Sequence, residues 1–336
     1  MMKKFPYLAV SGTYRDVGLA IGESFRTNVR SFIAQRKSRI PHYDKSKELL
    51  FPYYEKTQNY LPHLIEETRA IAAGADVDFY DFFFANVPEV YNESELQARK
   101  LAPYADHCTT IVSTVTDGLI VGHNEDWSSE SIRDLYILKA TVGGVTTLGL
   151  QYCTYIPGSS VTLNSWGLVQ CINELYSRSR VGIPKYYIAR GVTEKKSIND
   201  ATDFIRSLPR ASGFNHVLLQ DSHITNIEAF SEDMGIEVTT DLPFVHTNHC
   251  LSPHIAMHET VKTESSVERY KRAKQLAHPD MTIDEMIRAL SDKANTAFPI
   301  CRHKETIASV IVAPNLRSML VSYGPPCKNF FTRYTL

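Results

Sequence analysis

From Tyr14 to Gln35 the apolar positions Val17, Ala20, Ile21, Phe25, Val29, Phe32 and Ile33 recur at spacings of three and four. That periodicity predicts a helix with one buried face. The run from Pro62 to Ala73 repeats it through Leu64, Ile65, Ile71 and Ala72. Gly74-Ala75-Asp76 ends that run, and a third helix is expected from Phe79. Helical stretches are also expected over 184–207, 264–277 and 282–292. Elsewhere the texture differs. Short β-branched runs occupy 109–115, 119–122, 145–151, 159–163, 167–172, 216–220, 225–230 and 307–312. Turn signals separate them, among them Asp117-Gly118, Gly143-Gly144 and Pro157-Gly158. A helical N-terminal part followed by strands with inserted helices is an α+β pattern.

Composition narrows the class. The 336 residues are 43% hydrophobic and 22% charged, with a formal net charge of −1. No basic excess points to nucleic acid or an anionic membrane. The apolar run Tyr7-Leu8-Ala9-Val10 is too short for a secretory signal, and no run approaches the roughly 18 apolar residues of a spanning helix. Six cysteines are scattered without CxxC pairs, which favours reduced thiols and a cytoplasmic location. Cys153, Cys171, Cys250, Cys301 and Cys327 read as small buried hydrophobes. The aromatic run Phe79 to Phe84 reads as core. Glu194-Lys195-Lys196 and the run Lys262 to Arg272 read as solvated charged faces.

The candidate chemistry begins at Cys108. If the turn centres on Asp117-Gly118, Cys108 lies opposite Trp127 and Asp126 opposite Thr109, so a thiol and a carboxylate meet at the open end of a hairpin. A thiolate nucleophile needs a base. His107, as immediate neighbour, points to the opposite face of a strand. A second solution is a cleaved chain in which Cys108 is the first residue. Its own α-amino group, with a pKa of about 7.7–8, is then the base. A competing cluster is His246, His249, Cys250, His254 and His258, with His254 and His258 at helical i, i+4 spacing. His258-Glu259 lacks the second histidine of HExxH, and no metal is expected there. His246 and His249 are expected to flank Asn248 in a strand and fix its orientation.

Five segments in order resemble one family. They are Asp106-His107-Cys108-Thr109-Thr110 running on to Gly122-His123-Asn124-Glu125-Asp126-Trp127; Asn164 to Asn173; His246-Thr247-Asn248-His249; Thr306-Ile307-Ala308-Ser309-Val310 with Tyr323 to Cys327; and, upstream, Leu64 to Gly74. The chain is similar in these to the penicillin acyl-coenzyme A:isopenicillin N acyltransferase family, which groups with the N-terminal nucleophile hydrolases and is related to the choloylglycine hydrolases. The resemblance implies a four-layer αββα fold with two antiparallel sheets between helical layers. It implies self-cleavage between His107 and Cys108, into a helical pro-region 1–107 and a catalytic region 108–336 packed as one globular unit. It implies Cys108 as nucleophile and Asp126 as the carboxylate holding the new α-amine. Asn248 is the implied oxyanion donor, and Asn173 a second asparagine lining the site. Thr109, Asn124, Glu125, Trp127, His246, His249 and Ser309 are supporting positions in the same segments. Many relatives hold an arginine near the nucleophile, for which Arg302 is the candidate here.

The expectation is therefore a cysteine amidohydrolase or acyltransferase for a small N-acyl amide or acyl thioester. It would use no cofactor and bind no nucleic acid or membrane, with homo-oligomerisation left open. The alternative is an uncleaved, non-catalytic descendant that binds an acylated ligand.

Overall fold

The computed structural model describes residues 3–40, 42–90, 108–116, 118–239 and 241–336. Two sheets organise the chain. The first has eight strands, in spatial order Tyr7–Gly12, Leu135–Val142, Val145–Tyr152, Val161–Asn164, Val169–Glu174, Phe214–Gln220, His223–Ala229 and Met234–Thr239. Its pairings are antiparallel apart from the first, where Tyr7–Gly12 runs parallel to Leu135–Val142. The parallel pairing is confined to that edge. The second sheet has six strands, in the order Phe244–His246, Thr109–Val115, Gly118–Asp126, Thr306–Ala313, Ser318–Tyr323 and Phe331–Thr335.

The layering follows from which side chains meet. Val121, Val310, Val312 and Val321 of the second sheet pack against Leu148, Leu150, Leu163, Val217 and Leu219 of the first, in one fully buried core. On the outer face of the first sheet, Tyr136 and Leu138 meet Val17, Ile21, Ile71 and Phe82 of the N-terminal helices. On the outer face of the second, Ile111, Ile120 and Ile311 meet Ala273, Met286 and Leu290 of the helices Glu264–Leu276 and Ile283–Leu290. The result is the four-layer αββα sandwich that the resemblance implied. Phe82, Phe83 and Phe84 are all buried, as the aromatic run predicted. Among the described residues no helix is long and apolar enough to cross a membrane.

Local chemistry sets the element ends. Thr13 with Asp16, and Thr282 with Glu285, form capping boxes. The single helix expected over 14–35 is two, Tyr14–Ser24 and Arg26–Arg39, because the backbone leaves helical geometry at Phe25. The first of these lies directly on the helix Pro62–Ala75. A Cβ on Gly18 would sit 2.5 Å from the Glu67 carbonyl, and one on Gly22 would overlap that of Ile71, so glycine is required at both. The stretch expected over 184–207 likewise divides into Lys185–Val192 and Ile198–Ser207, the second capped by Ser197.

Candidate active site

The hairpin Thr109–Val115/Gly118–Asp126 pairs Val115 with Gly118 and Thr109 with Asn124. Its register therefore differs by two from the one predicted, because Gly118 begins the second strand instead of lying inside the turn. Glu125, not Trp127, comes nearest to facing Cys108 across the hairpin mouth. The Cys108 sulfur, a His123 ring nitrogen and a Glu125 carboxylate oxygen lie within 4.8 Å of one another. Among the described residues this is the group of three donors that could share a metal ion; the histidines of 246–258 form no such group.

Cys108 is buried, with 4% of its surface exposed. Burial pushes its thiol well above the ordinary range, and the charges of Glu125 and Asp126 push the same way. A backbone hydrogen bond from Asp126 and the positive charge of Arg269 oppose them. Arg269 is the largest fully buried side chain of the molecule's described part. One guanidinium nitrogen donates to the Cys108 carbonyl at 2.8 Å and to Thr109 Oγ1 at 2.7 Å. The other terminal nitrogen donates to Asn248 Oδ1 at 2.9 Å. The Asn248 amide is thereby oriented, with Nδ2 on the donor side; that nitrogen contacts the Glu174 carbonyl at 3.2 Å.

Asp126 is next to Cys108, its backbone hydrogen-bonded to the thiol. Thr306 Oγ1 donates to its Oδ1 at 2.6 Å, while Oδ2 is buried without a hydrogen-bond partner among the described residues. Burial raises its carboxyl to about 7, against the charges of Arg269 and Arg302 and the Thr306 hydroxyl, with Glu125 adding to the rise.

Hydrogen-bond logic assigns the His123 tautomer. Thr110 Oγ1 donates to Asn173 Oδ1 at 3.0 Å, so it must accept from His123 Nδ1 at 2.9 Å. His123 Nε2 then faces Glu125 Oε2 at 3.4 Å. Tyr152 Oη donates to Glu125 Oε1 at 2.9 Å, and Ser160 Oγ donates to Oε2.

Cys108 and Glu125 open onto a cleft of about 460 Å³. Its walls carry Trp127, Tyr152, Tyr155, Tyr186 and Phe214, and Glu174. Glu174 is held by Lys185, whose ammonium lies 4.5 Å over the Phe214 ring.

The remaining expectations divide. Asn173 is fully buried beside Thr110, with Nδ2 lacking a hydrogen-bond partner among the described residues. Asn124 turns away from the cleft and donates to Leu290 O and Ile300 O at 2.9 and 3.0 Å. Ser309 pairs with Asn124 across the sheet and is buried. The expected orienting of Asn248 by its flanking histidines is corrected: the strand ends at His246, and Arg269 holds the amide. His246 pairs with Glu228 at 2.8 Å, and His249 Nδ1 contacts Ser266 Oγ at 2.8 Å. His107 lies outside the described residues. The run Lys262 to Arg272 is not a solvated face throughout, since Arg269 turns inward from it. Nor is Glu194 free in solvent; it pairs with Arg190 at 2.7 Å. Sequence reasoning missed Arg269. The available signal was the stripe Ser265-Arg269-Ala273, two small residues flanking an arginine at i, i+4 spacing on one face of a helix.

A family model described as acyl-coenzyme A:6-aminopenicillanic acid acyl-transferase matches residues 114–326, more than half of the chain. The chain belongs to that family. The matched span begins six residues after Cys108 and includes Asp126, Asn173, Asn248 and Arg269. Within the family's neighbourhood, the chain is 23% identical over 215 residues to the beta-alanyl-dopamine/carcinine hydrolase of Drosophila melanogaster, covering 58% of this chain and 56% of that protein. It is 25% identical over 247 residues to the 40 kDa form of the acyl-coenzyme A:6-aminopenicillanic-acid-acyltransferase of Emericella nidulans, covering 72% of this chain and 67% of that one. The chain thus spans just over half the length of the Drosophila relative. Two variants of the conjugated bile acid hydrolase of Clostridium perfringens align at TM-scores of 0.44 and 0.47 with 11% identity, covering 68% of this chain and 97% of each.

Proposed function

We propose that this family member is a cysteine amidohydrolase or acyltransferase that cuts its own chain between His107 and Cys108. Cys108 then attacks the carbonyl of a small N-acyl amide. The observation that carries this reading is the convergence on Cys108 of a buried carboxylate with an unpartnered oxygen, Asp126, and an asparagine amide oriented by Arg269. After cleavage the new α-amino group takes the thiol proton, and Asp126 Oδ2 accepts a hydrogen bond from that amine. Sulfur adds to the carbonyl, and Asn248 Nδ2 donates to the developing oxyanion. The amine leaves with the proton, and water or a second amine releases the acyl group from sulfur. Hydrolysis is the first reading and acyl transfer the second. Both readings are supported by the names of the curated relatives, one a hydrolase and the other an acyltransferase.

The cleft suggests the substrate class. Five aromatic walls and the carboxylates of Glu125 and Glu174 suit an amide that carries an aromatic ring or an organic ammonium.

The test is denaturing intact-mass spectrometry of freshly purified wild type beside Cys108→Ala. Two fragments, 1–107 and 108–336, from wild type alone are expected. A wild type that stays whole after long incubation removes the α-amine base and favours the non-catalytic, ligand-binding alternative.

A further inference from the structure

We propose that Cys301 and Cys327 are a reversible dithiol/disulfide site that clamps the active-site segment 301–306. The two sulfurs lie 2.9 Å apart, and both residues are thiols in this structure. Closing to the roughly 2.05 Å of a disulfide is a movement of about 0.9 Å. The residues come from different elements, the approach to strand Thr306–Ala313 and the turn after Ser318–Tyr323. This proximity is therefore a product of the fold.

The two thiols differ in access, which sets the order of events. Cys327 is partly exposed, whereas Cys301 is buried and its thiol is pushed up to about 12, first by burial and then by its contact with Cys327. A small-molecule disulfide such as oxidised glutathione supplies the oxidising equivalents. The Cys327 thiolate attacks one glutathione sulfur and expels the other glutathione as a thiol. Cys301, losing its proton to solvent, attacks the Cys327 sulfur of the mixed disulfide and expels the second glutathione. The sum is two protein thiols and one oxidised glutathione going to one protein disulfide and two reduced glutathiones.

The clamp reaches the site along a short covalent and hydrogen-bonded path. Residue 302 follows Cys301 directly, and its N–H donates to Thr306 Oγ1 at 2.8 Å. The same hydroxyl donates to Asp126 Oδ1 at 2.6 Å. Trp127, a wall of the cleft, donates its N–H to the Glu305 carbonyl at 2.8 Å. Upstream, the Ile300 carbonyl accepts from Asn124 at 3.0 Å. A crosslink at 301 thus fixes the segment that holds the Asp126 carboxylate.

The experiment equilibrates full-length wild type in glutathione buffers of graded redox poise, blocks remaining thiols with N-ethylmaleimide, and maps peptides by mass spectrometry. Amide hydrogen exchange of the reduced and oxidised forms is measured alongside. The expected result is a linked Cys301–Cys327 peptide pair, two hydrogens lighter than the sum and reversed by dithiothreitol, with slower exchange in the 302–306 peptide after oxidation. Cys327→Ser should leave Cys301 as a thiol at every poise. Cys301 remaining alkylatable throughout, or a glutathione adduct persisting on Cys327, overturns the site. Linkage without slower exchange overturns the clamp. The linkage can form in a chain that never cuts itself, so failure here and failure of the self-cleavage reading are separate observations.

Discussion

Arg269 Nη2 donates to Asn248 Oδ1 at 2.9 Å, and the same guanidinium holds the Cys108 carbonyl at 2.8 Å. One buried side chain therefore fixes both the nucleophile's backbone and the amide proposed to meet the oxyanion. Lysine offers a point charge with three donors in place of a planar fork, so it cannot make all of these contacts at once. Arg269→Lys is expected to fold and to lower kcat by about 10²-fold, and Asn248→Ala by about 10²–10³-fold, the size of losing one oxyanion donor. The part of the Arg269→Lys loss that runs through the Asn248 amide vanishes once that amide is gone, so the double variant should lose clearly less than the product of the two single losses. Kinetics of the four proteins on one amide substrate check this; additive losses would show that Arg269 does not work through Asn248.

The Asp126 carboxyl makes stability depend on pH. Its value of about 7 stands above the ordinary 3.8, so between the two the folded chain binds the extra proton. Its contribution to stability is complete below about 3.8 and is lost as pH rises through about 7. Glu259 is also raised to about 7 by burial, so a single protein cannot isolate the effect. Urea unfolding of the uncleaved Cys108→Ala chain should show stability falling from pH 5 to pH 8, and the Cys108→Ala/Asp126→Asn chain should fall by less. Equal slopes would show that Asp126 is not held protonated by its burial.

How much of this was legible beforehand depends on what each feature rests on. The sandwich was readable because strand and helix periodicities are local and the segments resembling the family lie in order. The hairpin register was missed by two residues because turn composition alone does not say whether Gly118 closes the turn or opens the strand. Cys108, Asp126 and Asn248 were singled out as motif members, and Arg269 contacts the first and last of them. Arg269 itself was not singled out, since a charged residue in a charged run reads as solvated until the fold shows which helical face is covered. The proximity of Cys301 and Cys327 joins positions 26 apart in sequence through sheet pairing, and no spacing rule announces it.

Glu125 acts on the Cys108 thiol through charge. Burial is the largest cause of the raised thiol and the Glu125 carboxylate the next. Glu125→Gln removes that charge while keeping the shape of the side chain. The thiol should fall, and alkylation at fixed pH below the thiol's own value should be faster than in wild type. Iodoacetamide labelling of Cys108, followed by peptide mapping, reads the rate. An unchanged or slower rate would place the Glu125 charge outside the thiol's field.

The proposed fragments should stay together after cleavage, for reasons visible on both sides of Cys108. Strand Tyr7–Gly12 completes the edge of the eight-stranded sheet against Leu135–Val142. Glu67, fully buried on the helix Pro62–Ala75, accepts from Arg190 Nε at 2.9 Å, and Thr68 Oγ1 meets Tyr187 Oη at 3.0 Å. Asn86 Oδ1 accepts from the Ile156 N–H at 2.7 Å. Fragments 1–107 and 108–336 are therefore expected to co-elute from a sizing column in native buffer. Glu67→Ala removes one of the two carboxylates paired with the buried Arg190, Glu194 remaining, a loss on the order of 1–3 kcal/mol. In the cleaved protein this should move fragment separation to lower urea. In the uncleaved Cys108→Ala chain the same substitution should lower the unfolding midpoint while the two halves remain tied by the peptide bond. Wild-type fragments that part in native buffer, or a Glu67→Ala midpoint equal to wild type, would show that this buried pair does not hold the halves together.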